Sequence, residues 1–228
     1  MAALSISTDK RERAAIIARH IAGGVIILDP DAAYIGADVK ISAGAVLYPG
    51  VILEGGCEIG SGAVIGPDAR LTDTVVKENA TVQYSVLNGA TVGAETSVGP
   101  FAYLRPGAVI GDHCRIGDFV EVKNAKVGNY TKASHLAYIG DADVGEGVNY
   151  SCGAITVNYD GKDKHRTVIR DNAFIGCNSN LIAPVEVGEN AFVAAGSTVT
   201  ENVPADALAI ARQRQTNKAE WRKKKFPV

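Results

Sequence analysis

DNAFIGCNSNLIAPVEVGENAFVAAGSTVT, residues 171–200, is the stretch that decides the fold. In it Ile175, Leu181, Val187, Val193 and Val199 recur at every sixth position without a break, continuing from Ile169. Upstream the same step is carried by Ile35, Ile41, Leu47, Leu53, Ile59, Ile65 and Leu71. After a loosened stretch it returns through Val86, Val92, Val98, Leu104, Ile110, Ile116 and Val122, then slips by one residue at Val127 and again at Val144. A small side chain often stands four residues after the aliphatic (Ala45, Cys57, Ala63, Cys114, Ala191, Ser197), and glycine often follows it directly (Gly60, Gly66, Gly93, Gly111, Gly176, Gly188). A period of six excludes an amphipathic helix, whose apolar stripe follows 3.6 residues. Six residues make one short strand and one corner, with the aliphatic turned inward. Gly, Asn and Asp suit such corners because they tolerate positive φ. Three sides close a triangular coil of about 18 residues, and roughly eight coils at about 4.8 Å spacing give a prism on the order of 38 Å long. Each coil can bury its aliphatics only against its neighbours.

Both ends leave the repeat, as solenoid caps do, so residues 1–24 are expected to be a cap helix, 25–203 the repeat domain and 204–228 a tail. Ser7 or Thr8 is placed to cap a helix running to about Ile21 and closed by Gly23 and Gly24. After Val203 the pattern dissolves, and from Arg212 to Lys225 seven Lys or Arg stand against one Glu. Such a tail is either a solvated charge run or a segment that binds a phosphorylated cofactor. The net charge of -2 supplies no drive toward nucleic acid or anionic membrane. No apolar run approaches the roughly 20 residues that span a bilayer, and the N-terminus lacks the apolar core of a secretory signal. A soluble, cytoplasmic protein is expected. Cys57, Cys114, Cys152 and Cys177 form no C-x-x-C pair and have repeat-like surroundings, so they read as small packing residues, and neither disulfide nor metal is expected.

Between residues 156 and 168 the six-step fails, and the inserted loop carries Lys162, Lys164, His165 and Arg166 around an Asp160-Gly161 turn. A long insertion in a regular solenoid is more often functional than decorative, although a tolerated surface insertion has the same look. The coils from Gly99 to Gly147 concentrate Arg105, Glu121, Lys123, Lys132, His135 and Tyr138. His135, just after the repeat position Ala133, is expected to be partly buried. Such a histidine serves either as a packing residue or, beside an acceptor, as a general base near neutral pH.

Four ordered motifs then point to a family: GPFAYLRPGAVIG (99–111), DFVEVKNAKVG (118–128), KASHLAYIGDADVGEGVN (132–149) and TVNYDGKDKHRTVI (156–169). They resemble the acetyltransferase half of the bifunctional N-acetylglucosamine-1-phosphate uridyltransferase/glucosamine-1-phosphate N-acetyltransferase family, of the hexapeptide-repeat acyltransferase superfamily. The resemblance runs from about Gly24 to Trp221 and is densest between Gly99 and Gln215. It implies an all-β solenoid, a left-handed parallel β-helix, with a short N-terminal helix and an irregular basic C-terminal tail. It implies a homotrimer whose active sites lie between subunits, and acetyl transfer from acetyl-CoA to the amine of glucosamine-1-phosphate on the route to UDP-N-acetylglucosamine and the cell wall. No Gly-rich nucleotide loop precedes the repeats, so uridyl transfer is not expected of this chain and a separate nucleotidyltransferase would be its partner.

The resemblance also implies residue roles. Arg105, Lys123 and Lys164 match the cations that hold the sugar phosphate, Tyr138 and Asn149 match contacts to the amino sugar, and His135 matches the general base. Asn158 and Tyr159 match positions beside the thioester, while Cys152, Cys177, Ala195 and Arg212 match the cofactor's path. Two positions depart from the family: Ser151-Cys152-Gly153 stands where Gly-Ala-Gly is usual, and Cys177 where Ser is frequent. Those departures leave open another amino sugar, or a nucleotide-linked one, as acceptor. Two other classes fit less well. A zinc carbonic anhydrase on this solenoid needs two histidines close together and a third upstream, whereas His113, His135 and His165 are spread evenly. A non-catalytic trimer has no use for Arg105, Lys123, His135, Tyr138, Asn149 and Lys164 together.

Overall fold

Ile35, Leu53, Leu71, Leu87, Leu104, Val122 and Ile139 pair in register, each directly over the next, and every one is buried. This column is one of three inner seams of a left-handed parallel β-helix, seen in a computed structural model that describes residues 6–226. A second seam runs through Leu47, Ile65, Val82, Val98, Ile116 and Ala133. The third runs through Ile41, Ile59, Val76, Val92, Ile110, Val127, Val144, Ile169 and Val187. In chain order these seams define a first face (with Val46–Leu47), a second (with Ile52–Glu54) and a third (with Glu58–Ile59). Stripping water from one such Leu or Ile contributes roughly 1.5–3 kcal/mol, and stacking makes that burial continuous.

The solenoid has about 10 turns where about eight were expected. The stretches in which the six-step falters still close coils, some of them shorter than 18 residues: Leu71 pairs with Leu87 and Val127 with Val144. Strand pairing also continues beyond Val203, where Leu208–Ala209 adds to Phe192–Val193. The helix spans Lys10–Ala22, and its cap is Asp9, whose carboxylate accepts from the Arg11 N–H at 2.7 Å. Ser7, expected in that role, instead accepts from the Asp9 N–H. Gly23 closes the helix, and Ile17 and His20 are its buried residues.

The cysteines divide. Cys57 and Cys114 are buried at the small position of the repeat, with their thiols donating to backbone carbonyls and burial pushing both pKa values up. Cys152 is half-buried and Cys177 exposed. Each follows the inward residue of a first-face strand (Asn149–Tyr150 and Phe174–Ile175) by two positions and lands on a corner.

Candidate active site

The corner between the second and third faces gathers most of the charge. Arg105 follows the strand Tyr103–Leu104 and Lys123 ends the strand Arg115–Lys123, so pairing of Leu104 with Val122 sets them one coil apart. On the next coil Gly140 lies under Lys123. A Cβ at Gly140 would come within 2.3 Å of the Tyr138 hydroxyl, so the missing side chain is what lets the phenol fold over this corner. Lys164 arrives from the inserted loop. Its ammonium faces that of Lys123 and, with partial desolvation and the nearby Arg105, pushes the Lys123 pKa down. Arg105 is held charged by Glu121 at 2.7 Å. Asp141 is buried beneath the pair, and burial alone would raise its pKa. Hydrogen bonds from Asn124 and Asn158, with Lys123 and Lys164 nearby, hold the carboxyl below its usual range instead. Asn158 also reaches the Tyr138 hydroxyl at 3.4 Å. Three cations thus share one corner with two carboxylates, one of them already bound to Arg105.

The inserted loop is shorter and tighter than the sequence suggested. Thr156, Asn158 and Thr167 are buried in the prism, leaving residues 159–166 outside it. Tyr159 and Lys164 form an antiparallel bridge, and Asp160 accepts from the N–H groups of Lys162 and Asp163 and from His165 Nε2 at 2.8 Å. Those bonds hold the Asp160 carboxyl well below the usual carboxylate range. Arg166 clamps the base of the loop to Asp143 and the Ala142 carbonyl. Tyr159 donates to the Gly161 carbonyl within the loop.

The corner between the first and second faces carries the remaining residues. His135 and Leu136 turn it on one coil, Cys152 and Gly153 on the next, then Cys177 and Asn178, then Ala195 and Gly196. Arg212 lies against this column, its Cδ 3.6 Å from where a Cβ on Gly196 would be. His135 is exposed, not partly buried as expected, because the corner points it away from the core. Its Nδ1 is 2.7 Å from Asp118 Oδ1. Asn149 sits on the first face, donating to Ser151 Oγ.

Within one chain, then, Arg105, Lys123, Tyr138, Asn158 and Lys164 come together, while His135, Cys152, Cys177, Ala195 and Arg212 line a different corner. His135 and Tyr138 are three residues apart, on either side of the turn at Leu136, so they are separated by at most about 10 Å of strand rise. Asp118 and Asp141 were missed from the sequence. The first could have been found by stepping one 17-residue coil back from His135. The three histidines weighed as zinc ligands pair separately with Glu95, Asp118 and Asp160. Among the described residues no group of three or more His, Cys, Asp or Glu could hold a metal ion, and no helix is long and apolar enough to cross a membrane.

Comparison with known proteins agrees with this architecture. Residues 166–201 match the bacterial transferase hexapeptide model and residues 30–127 the GMPPB C-terminal domain. Relatives named bifunctional protein GlmU are 56% identical over 209 residues in Brevibacillus brevis and 54% over 207 in Clostridium acetobutylicum. These matches cover 92% and 91% of this chain and 45% of each relative, so the chain spans about half their length. The solved structure of Francisella novicida UDP-N-acetylglucosamine acyltransferase shares the fold, with a TM-score of 0.51 at 17% identity over 82% of this chain and 67% of that one. With its hexapeptide repeats matched and more than half of its residues shared with the first of these relatives, the chain belongs to the GlmU family and corresponds to the C-terminal half of its members.

Proposed function

We propose that the chain transfers acetyl from acetyl-CoA to the amine of glucosamine-1-phosphate. The observation that carries this is the approach of Lys123 to Lys164 beside Arg105, three cations with too few carboxylates. Like charges gathered at one corner suit an anion that fits among them. A phosphate monoester offers the oxygens to take charge-assisted bonds from all three. Tyr138 and Asn149 would orient the sugar.

An alkyl amine is largely protonated at neutral pH and cannot attack a thioester until it loses a proton. His135 takes that proton. The amine attacks the acetyl carbonyl, the oxyanion is steadied by a backbone N–H, and the thiolate of coenzyme A leaves. The Cys152 N–H suits that role, since among the described residues it donates to no backbone carbonyl. Cys177, Ala195 and Arg212, stacked below it on the same corner, would follow the cofactor, with Asn158 and Tyr159 beside the thioester. No covalent intermediate is needed, because binding both substrates in one cleft supplies proximity.

The base and the phosphate cluster lie on different corners, so the working site would be completed by a second subunit. The corner between the first and second faces (the first corner; that between the second and third faces is the second) has the surface for it: Tyr84, Phe101, Phe119 and Leu136 are exposed on successive coils, with Phe101 stacked on Phe119 at 5.6 Å. A homotrimer, in which each first corner faces a neighbour's second corner, satisfies both observations. The product would pass to a nucleotidyltransferase.

Turnover of acetyl-CoA with glucosamine-1-phosphate, against free glucosamine and nucleotide-linked amino sugars, tests this. Losing several contacts of about 1.5–3 kcal/mol each should cost the unphosphorylated sugar several orders of magnitude in kcat/KM. His135→Ala should lower kcat by about 10²–10⁴ with sugar binding nearly intact, while Lys123→Ala should weaken sugar binding most. Equal use of free glucosamine, or full turnover by His135→Ala, would show the assignment to be wrong.

A further inference from the structure

Asp118 and His135 are register partners on two nine-residue strands, Arg115–Lys123 and Lys132–Gly140, that cross the first corner without a break. The strands approach closely just before the pair: a Cβ at Gly117 would lie 1.9 Å from the Ser134 carbonyl oxygen. Phe119, at φ 57°, then turns the chain immediately after Asp118, and Leu136, at φ 36°, turns it immediately after His135. The carboxylate and the ring are therefore delivered to one another by backbone pairing on both sides. Both side chains are open to solvent, 38% and 59% exposed. An ion pair so exposed adds little to folding, so stability does not account for it. The two other exposed His–carboxylate pairs have local explanations: His113 stacks on Tyr130 at 4.9 Å, and His165 ties its own loop to Asp160.

We infer that Asp118 is a positioning residue for His135: by accepting the Nδ1–H it keeps the neutral ring in that tautomer and leaves Nε2 as the acceptor facing outward. This rests on the reading of His135 as general base. A base must present a lone pair to the substrate ammonium, and an imidazole whose Nδ1 is committed can do so only through Nε2.

The test separates the positioning from the base. Ring-¹⁵N-histidine labelling of the full chain, with His135 assigned by its disappearance in His135→Gln, reads the tautomer directly. The parent should show a protonated Nδ1 and an unprotonated Nε2 in the neutral ring. Asp118→Ala should shift that ring toward the Nε2–H form. It should lower kcat about tenfold to a hundredfold, less than removal of the base itself, with KM for both substrates within about twofold and the unfolding midpoint unchanged. Asp118→Asn, whose carbonyl can still accept the Nδ1–H, should recover part of both losses. An Nδ1–H tautomer that survives Asp118→Ala overturns the inference, as does a changed tautomer with unchanged kcat while His135→Ala is inactive. Full turnover by His135→Ala would instead remove the base reading, and the inference with it, whatever the tautomer shows.

Discussion

The first corner of the prism is built in two ways along its length. Early on, Gly50 and Asp68 turn it with positive φ, residues that take that conformation at little cost. From Tyr84 to Leu136 the same corner is turned by Tyr84, Phe101, Phe119 and Leu136, all with positive φ and all exposed. For an ordinary side chain that conformation costs roughly 1–2 kcal/mol per residue. Below, Gly153, Asn178 and Gly196 restore the cheap solution. Folding alone explains the turn residues of the upper and lower coils. The middle coils hold bulky apolar groups in a strained conformation facing water, and they are the coils that bring in Asp118 and His135. At this corner the costly turns coincide with the coils that carry the Asp118–His135 pair.

Leu53→Ala, in an early coil with no candidate site residue, should destabilise the chain by about 2–5 kcal/mol. Chemical denaturation should read this loss, while kcat at a permissive temperature stays at the parent value. A change in kcat there would mean that the early coils are not merely structural. Next in size, Phe119→Gly removes an exposed apolar group and its backbone strain together. It should leave the thermal midpoint of the dilute chain unchanged or higher, yet weaken self-association at least tenfold by sedimentation. Asp68→Gly, at the economical part of the same corner, should leave association untouched. If both behave alike, the ladder is not an interface.

Smaller effects sharpen the picture. Ala211 is still tied to the prism through its carbonyl at Thr198 N–H and its own N–H at Ser197 Oγ. Deleting residues 212–228 therefore spares the last coil and removes Arg212 from the first corner. The KM for acetyl-CoA should rise several-fold while that for the sugar phosphate holds, and an unchanged KM would return the tail to a solvated charge run. The smallest effect is in pH. The Lys123 pKa is lowered by Lys164, so as pH rises Lys123 loses its proton before an ordinary lysine does, and binding an anion then requires proton uptake. The KM for the sugar phosphate should therefore begin to climb below the usual lysine range. Lys164→Met, which removes the like charge, should move that onset to higher pH even as it weakens binding overall.

Much of the fold was legible because a hexapeptide coil is a local decision repeated. Each aliphatic, small residue and corner glycine acts on its own six residues, and register follows by counting. Counting erred where a coil was shortened, as between Leu71 and Leu87, because Val76 and Leu87 each follow the preceding inward residue by five positions, so Leu87 turns inward and Val86 is exposed. It erred again at Ser7 and Thr8, since capping depends on which side chain reaches the first free N–H, and Asp9 does. The cation trio and His135 were legible as motifs, but their division between two corners was not. That division is set by where each strand turns, and the turns at Phe119 and Leu136 are made by residues whose composition does not suggest them.

By itself, the order of residues determined a three-sided solenoid, its seams, its interrupting loop and the chemical types brought to its middle coils. Only the tertiary structure decided which of those types meet. Asp118 met His135, Lys164 met Lys123 and Asn158 met Asp141, because contacts across coils depend on cumulative register and on how a loop folds back. Shortened coils and the inserted loop leave the inner seams in register, so only the closed structure fixes which outward side chains face each other at a corner.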